Sequence, residues 1–203
     1  MNQDTGLRFG PLDERTAHLC VDMQTVFAER TEWHVPWMQR VLPAVQRIAQ
    51  ARAASTIFTR FVPPQHPEQM PGAWQRYYRR WRQMTGERLD PRLIELVPML
   101  RVLVPPAIVL DKHYYSPFVE AALPRLLRER RIDSLVVTGS ETDVCVLSTV
   151  LGAVDLGYRV VLATDALCST SDEAHDSLLA LYRQRFSQQI EAASVDEILA
   201  IWR

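Results

Sequence analysis

The chain has 203 residues, a formal net charge of −1 and 47% hydrophobic side chains. That length suits one domain with a sizeable core, here 1–203, and the charge balance carries no footprint for nucleic acid or an anionic membrane. No apolar run approaches the roughly 20 residues of a membrane helix, and the opening stretch (MNQDTGLRFGPLDER) mixes charges without an apolar segment, so no signal peptide is expected there and a cytoplasmic location is expected.

In chain order, short β-branched apolar runs alternate with helical patterns. Residues 16–21 (TAHLCV) read as a strand ending at Asp22, and 36–54 as a helix with Val41, Val45, Ile48 and Ala49 on one side. Strands follow at 55–59 (STIFT) and 107–111 (AIVLD), the latter ending at Lys112. A helix is expected at 117–130, a strand at 134–138 (SLVVT) and a helix at 143–156. The pattern closes with strands at 159–163 and 190–193 and helices at 171–186 and 195–202. Such alternation predicts an α/β fold, a parallel sheet covered by helices on both faces. Functional groups of these sheets collect beyond the carboxyl ends of the strands. Asp22, Lys112 and the segment from Gly139 all follow strand ends, so three distant parts of the chain are expected to converge.

Residues 62–106 break the alternation. They hold Pro63, Pro64, Pro67, Pro71, Pro91, Pro98, Pro105 and Pro106, and the run from Trp74 to Trp81 (WQRYYRRW). A connection this long in a compact domain reads as a lid-like or binding excursion. Trp74, Tyr77, Tyr78 and Trp81 lie at helical spacing; core or oligomer packing is one role for them, a substrate lid the other.

Three cysteines, Cys20, Cys145 and Cys168, show no C-x-x-C spacing, which argues against a disulfide framework or a cysteine zinc site. The 23 basic residues include a single lysine, Lys112. Arginine keeps its proton in proteins, whereas a buried lysine can shift its pKa, so the one lysine marks a place where arginine would not serve.

The turn from Gly139 to Val146 (GSETDVCV) joins a buried strand to a helix. Thr142 or Asp143 is placed to cap that helix. Cys145 then falls in the first turn, where the dipole and free N–H groups favour a thiolate and an oxyanion. A thiolate nucleophile needs a base and a leaving-group acid, which Asp22 can supply, with Lys112 stabilising developing charge. The alternative roles are a packing cysteine and a strand-end aspartate in a cap or ion pair.

These residues resemble the isochorismatase-like hydrolases. The D-x-Q after the first strand is Asp22–Met23–Gln24, the post-strand lysine with its serine-aromatic pair is Lys112 to Phe118 (KHYYSPF), and the G-x-x-T-D-x-C-V turn ends in Cys145 and Val146. The resemblance runs from about residue 17 to the end. It implies a three-layer α-β-α sandwich with a six-stranded parallel sheet, an Asp22–Lys112–Cys145 triad, and a cis peptide at Ser140–Glu141 that turns the Glu141 and Cys145 N–H groups toward an oxyanion. It also implies a homodimer or homotetramer acting on a small-molecule substrate. Cysteine members cleave C–N bonds of amides, N-carbamoyl and ureido compounds through a thioester. Nicotinamidases of the family hold a metal through an Asp-x-His cluster after the second strand; Arg60 and Val62 stand in those places here and His66 alone is a weak ligand, so no metal or other cofactor is expected. Arg60 is then a candidate for a substrate carboxylate or a structural ion pair, and His113, Trp74 and Tyr78 are candidates for the pocket. Members that hydrolyse the vinyl ether of isochorismate lack the cysteine. The rival to an amidase is a non-catalytic binding or scaffold protein on the same fold.

Overall fold

The structure, a computed structural model, describes residues 7–203. The first six residues of the opening stretch, read above for a signal peptide, lie outside the described residues.

Six strands form one sheet: β1 Thr16–Val21, β2 Thr56–Phe61, β3 Ile108–Lys112, β4 Ser134–Ser140, β5 Arg159–Cys168 and β6 Ile190–Ala193. All are parallel, in the order β3-β2-β1-β4-β5-β6. The helices are α1 Thr25–Ala28, α2 Met38–Ala51, α3 Ala73–Arg80, α4 Pro98–Arg101, α5 Ala122–Glu129, α6 Leu147–Asp155, α7 Asp172–Arg185 and α8 Val195–Ile201. The strand order reverses at β1, so the crevice beyond the carboxyl ends of β1 and β4 is the topological switch point.

Two apolar clusters flank the sheet, because alternate strand residues point to opposite faces. Cys20 and Phe58 join α2 and α8 on one side, through Val45, Ile48 and Ile198. Leu19, Val21, Val137 and Leu162 join α5, α6 and α7 on the other, through Leu127, Val150 and Tyr182. The result is three layers, with the six-stranded sheet in the middle. None of the described helices is long and apolar enough to cross a membrane.

The strands run further toward their carboxyl ends than the apolar runs suggest. β2 continues through Arg60 and Phe61 because these pair with Asp111 and Lys112 of β3. β5 continues to Cys168 because its register slips: Val137 faces Leu162, while Gly139 faces Leu167. The helix expected at 117–130 is broken. A 3-10 turn occupies Pro117–Val119 under a Ser116 cap, and α5 begins only at Ala122. Between them the Glu120 carboxylate is drawn to the His113 N–H and Nδ1.

Residues 62–106 pack on the first cluster through Tyr78, Met84, Leu93, Leu96 and Leu100, all buried. Gln24 fastens this stretch to β1. Its amide Nε2 donates to the carbonyls of Phe61 and Ile94 at 3.1 and 2.7 Å, and its Oε1 accepts from the Phe61 N–H at 2.7 Å.

Candidate active site

Each reactive side chain is presented by a strand end. β1 stops at Val21 and the chain turns at once: Asp22 adopts φ 50° and its carbonyl accepts from the Gln24 N–H at 2.8 Å. A non-glycine residue in the left-handed region is uncommon, and such strain is often kept where a side chain must be aimed. Gly139, paired with Val21, has φ 114°, and a Cβ there would lie 2.0 Å from the Val21 carbonyl oxygen. That close approach sets β4 tight against β1, so Asp22 and the turn after Gly139 meet. Lys112 ends β3 and reaches past β2, its ammonium 4.8 Å from the centre of the Phe61 ring.

The three groups are close and dry. Lys112 Nζ lies 2.7 Å from Asp22 Oδ2, with the lysine side chain 1% exposed and the aspartate 0%. It also donates to the Tyr114 carbonyl at 3.0 Å and to Cys145 Sγ at 3.5 Å. The Thr59 hydroxyl donates to Asp22 Oδ1 at 2.6 Å and accepts from the Asp22 N–H at 3.2 Å, fixing the carboxylate from behind. The Lys112 ammonium is the group that faces Asp22 Oδ2, which accepts no other hydrogen bond among the described residues. Burial alone would lower the Lys112 pKa, but the Asp22 carboxylate and Cys145 beside it hold it above the ordinary lysine value.

The cysteine turn differs from the expected α-helical first turn. Thr142–Val146 is a π-helical turn, with the N–H groups of Val144 and Val146 both donating to the Glu141 carbonyl. Neither Thr142 nor Asp143 caps it. The Thr142 hydroxyl donates to the Cys168 carbonyl at 3.2 Å and lies 2.8 Å from His175 Nδ1, while Asp143 accepts from the Ser169 hydroxyl at 2.6 Å. Both side chains are thus anchored to the segment after β5, which holds the turn from outside the helix. The Ser140–Glu141 peptide is cis. Burial pushes the Cys145 thiol up; Lys112 opposes that shift, and the Asp22 carboxylate adds to it. Burial and the Asp22 carboxylate thus oppose the thiolate that the turn and Lys112 favour.

A cavity of about 280 Å³ opens over Cys145. Its walls are aromatic: Phe27, Trp33, Phe61, Tyr77, Trp81 and Tyr115. The polar groups on it are Glu32, His34, Glu141 and Thr170. Burial pushes the Glu141 carboxyl up against the opposing hydrogen bonds of Thr170, and its Oε1 is buried without a partner.

Four side chains expected near the substrate are employed elsewhere. Arg60 is not part of the lining; its Nε and Nη2 bind Asp111 at 2.7 and 3.0 Å and its Nη1 binds Glu95 at 2.7 Å, so its bidentate face is spent on a structural ion pair. His113 turns outward to Glu120 at 2.9 Å. Trp74 packs behind the wall on Tyr115, ring centres 4.7 Å apart, and Tyr78 is 0% exposed in the core. The α3 face offset by three residues, Tyr77 and Trp81, lines the cavity instead. The loop after α1 also lines the cavity. Trp33 stacks on Phe27 and Glu32 and His34 flank it, with no periodicity to announce them. Its only signal is a tryptophan shortly after the Asp22 strand end.

At the place of the nicotinamidase ligands, Arg60 is bound as described and His66 pairs with Glu87 on the surface. Among the described residues no three His, Cys, Asp or Glu side chains converge on a point. The residues present there, a guanidinium in place of a carboxylate and one surface histidine, do not fit a metal centre.

Comparison with known proteins gives a consistent picture. Residues 16–194 match the model of the Isochorismatase domain. The chain is similar to the crystal structure of a cysteine hydrolase from Pseudomonas syringae pv. phaseolicola 1448A, with 26% identity, a TM-score of 0.81, and 99% of this chain and 100% of that chain covered. It is 36% identical over 94 residues to a nicotinamidase of Escherichia coli (strain K12), covering 43% of this chain and 42% of that protein. It is 28% identical over 167 residues to a probable inactive nicotinamidase of Arabidopsis thaliana, covering 79% and 84%. The matched stretches span less than half the length of the first curated relatives, at 44%, 36% and 45%.

Proposed function

Because this chain belongs to the isochorismatase family, we propose that it is a cysteine amidase, hydrolysing a C–N bond of a small amide, N-carbamoyl or ureido compound through a thioester on Cys145. The observation that carries the reading is the buried meeting of Asp22, Lys112 and Cys145, with Cys145 lining a cavity large enough for a small molecule.

The geometry suggests the following chemistry. Cys145 starts as a thiol, so Asp22 removes its proton as sulfur attacks the carbonyl carbon. The C=O bond opens to an oxyanion, for which the N–H groups of Glu141 and Cys145 would be the donors. The C–N bond then breaks, Asp22 returns its proton to the leaving nitrogen, and ammonia or an amine departs. Water adds to the thioester, giving its proton to Asp22, and the acid leaves as Cys145 regains its hydrogen. Lys112 keeps its proton throughout. It offsets the charge that passes between Asp22 and sulfur, so the pair exchanges a proton without leaving an uncompensated charge in a dry site.

Ammonia release from a panel of small amides, N-carbamoyl and ureido compounds tests this, with Cys145→Ala alongside. Release that disappears in the variant supports the reading. Release that survives in Cys145→Ala, or a protein that binds panel members without ever turning them over, sinks it.

A further inference from the structure

The cavity over Cys145 has an unusual balance of charge. Six aromatic rings enclose it, and its ionisable polar lining is Glu32, His34 and Glu141, with no arginine. The one lysine is not part of the lining; it lies behind Cys145, 3.5 Å from its sulfur, and faces Asp22 at 2.7 Å, so that pair contributes no net charge. Glu32, exposed at the mouth, makes no ion pair among the described residues. Arg60, expected as a carboxylate-binding candidate, is bound by Asp111 and Glu95. Arg80 stacks on Trp81 at 5.0 Å but is not itself part of the lining.

A substrate carboxylate is ordinarily met by a guanidinium fork or an ammonium, and nothing here offers one. Ring faces attract cations through their quadrupole, most strongly when water is excluded, and aromatic cages are a known means of holding quaternary ammonium groups. A carboxylate at the mouth of a low-dielectric cleft focuses the same preference and raises the local concentration of cations. Resting on the assignment of this cavity as the substrate site, we propose that it selects amides carrying a positive charge, an ammonium or quaternary ammonium seated among Trp33, Tyr77, Trp81 and Tyr115 with Glu32 at the entrance, and that it rejects amides carrying a carboxylate. This divides the compounds open to a cysteine amidase, since N-carbamoyl and ureido acids fall on the rejected side.

The test uses Cys145 itself as reporter. Methanethiosulfonates bearing a trimethylammonioethyl, a sulfonatoethyl or a methyl group are matched reagents. In each case the thiolate attacks the sulfenyl sulfur, a mixed disulfide forms and methanesulfinate leaves. Modification rates of the full chain, with Cys145→Ala as the blank for Cys20 and Cys168, are divided by each reagent's rate with free cysteine. The cationic reagent is expected to exceed the anionic one by about tenfold or more. Glu32→Gln and, separately, Trp81→Leu should each reduce that ratio severalfold. A ratio of one or below overturns the proposal, as does a Cys145 that the neutral methyl reagent cannot reach. The ammonia-release panel reports separately on amidase activity. No turnover with the charge ratio intact defeats the amidase reading alone, and turnover that favours carboxylate-bearing amides defeats this inference alone.

Discussion

Under the proposed mechanism Lys112 serves stability and chemistry through the same atoms. Its ammonium and the Asp22 carboxylate are both sealed from water, so removing one strands the other. Lys112→Met is expected to cost on the order of 3–5 kcal/mol in urea unfolding and to abolish ammonia release. Lys112→Arg keeps the charge but not the compact three-donor head that meets Tyr114, Cys145 and Asp22. It should stay better folded than Lys112→Met and remain as inactive. Burial holds the Cys145 pKa above its ordinary value of 9.0, so the rate of alkylation at this residue should still be climbing with pH where a free thiol has levelled off. A plateau near neutral pH would contradict that. His18 gives a second pH effect. It lies between the Thr56 and Thr138 hydroxyls at 3.0 and 2.8 Å, and burial lowers its pKa from 6.5 to about 3. The unfolded chain therefore binds a proton that the folded one refuses. The stability His18 contributes is present above pH 6.5 and lost as pH falls toward 3, on the order of 3 kcal/mol by pH 4. Denaturant midpoints of native protein and His18→Asn, compared at pH 7 and 4, should show the steeper fall in the native protein.

The β1–β4 pair is where backbone geometry controls the site. Gly139→Ala puts a methyl group 2.0 Å from the Val21 carbonyl oxygen at a φ of 114°. The strands must part, and a loss of more than about 3 kcal/mol, roughly a 10 °C fall in melting temperature, is expected. Activity should fall further than stability, because Asp22 and the cysteine turn hang from these two strands. Most of the elements are legible in the sequence because apolar β-branched runs mark buried parallel strands directly. Their ends are less so: Arg60 reads as a loop residue after the 55–59 run, yet it pairs with Asp111 across β2 and β3 and binds it at 2.7 Å. The π-helical form of the cysteine turn is set by anchors from after β5, Ser169 and His175, which no local pattern carries. Helical spacing in α3 is legible too, but Trp74 with Tyr78 and Tyr77 with Trp81 are equivalent i, i+4 pairs. Which pair faces the cavity depends on what α3 packs against, and the alternative pair is the one the sequence favoured.

Across the whole molecule, sequentially remote segments are tied together near the amino ends of β1 and β2, opposite the strand ends that hold the site. Leu12 bridges Trp202, its N–H donates to the Ile201 carbonyl at 3.2 Å, and the Arg52 guanidinium lies 5.2 Å over the Trp202 ring and binds its carbonyl. Trp202 is 4% exposed within the cluster that also holds α2 and α8. Trp202→Ala should cost about 3 kcal/mol by cavity formation while leaving the KM of any substrate found unchanged, a separation that steady-state kinetics on the folded fraction would read. The solitary, sealed lysine has a practical consequence at this scale. Apart from the amino terminus, amine-directed reagents find one side-chain target in 203 residues, and folding hides it. The extent of acetylation at Lys112 therefore counts opened molecules in a population, and an isotope-labelled methyl group installed there during refolding would give a single magnetic-resonance signal beside the Asp22 carboxylate.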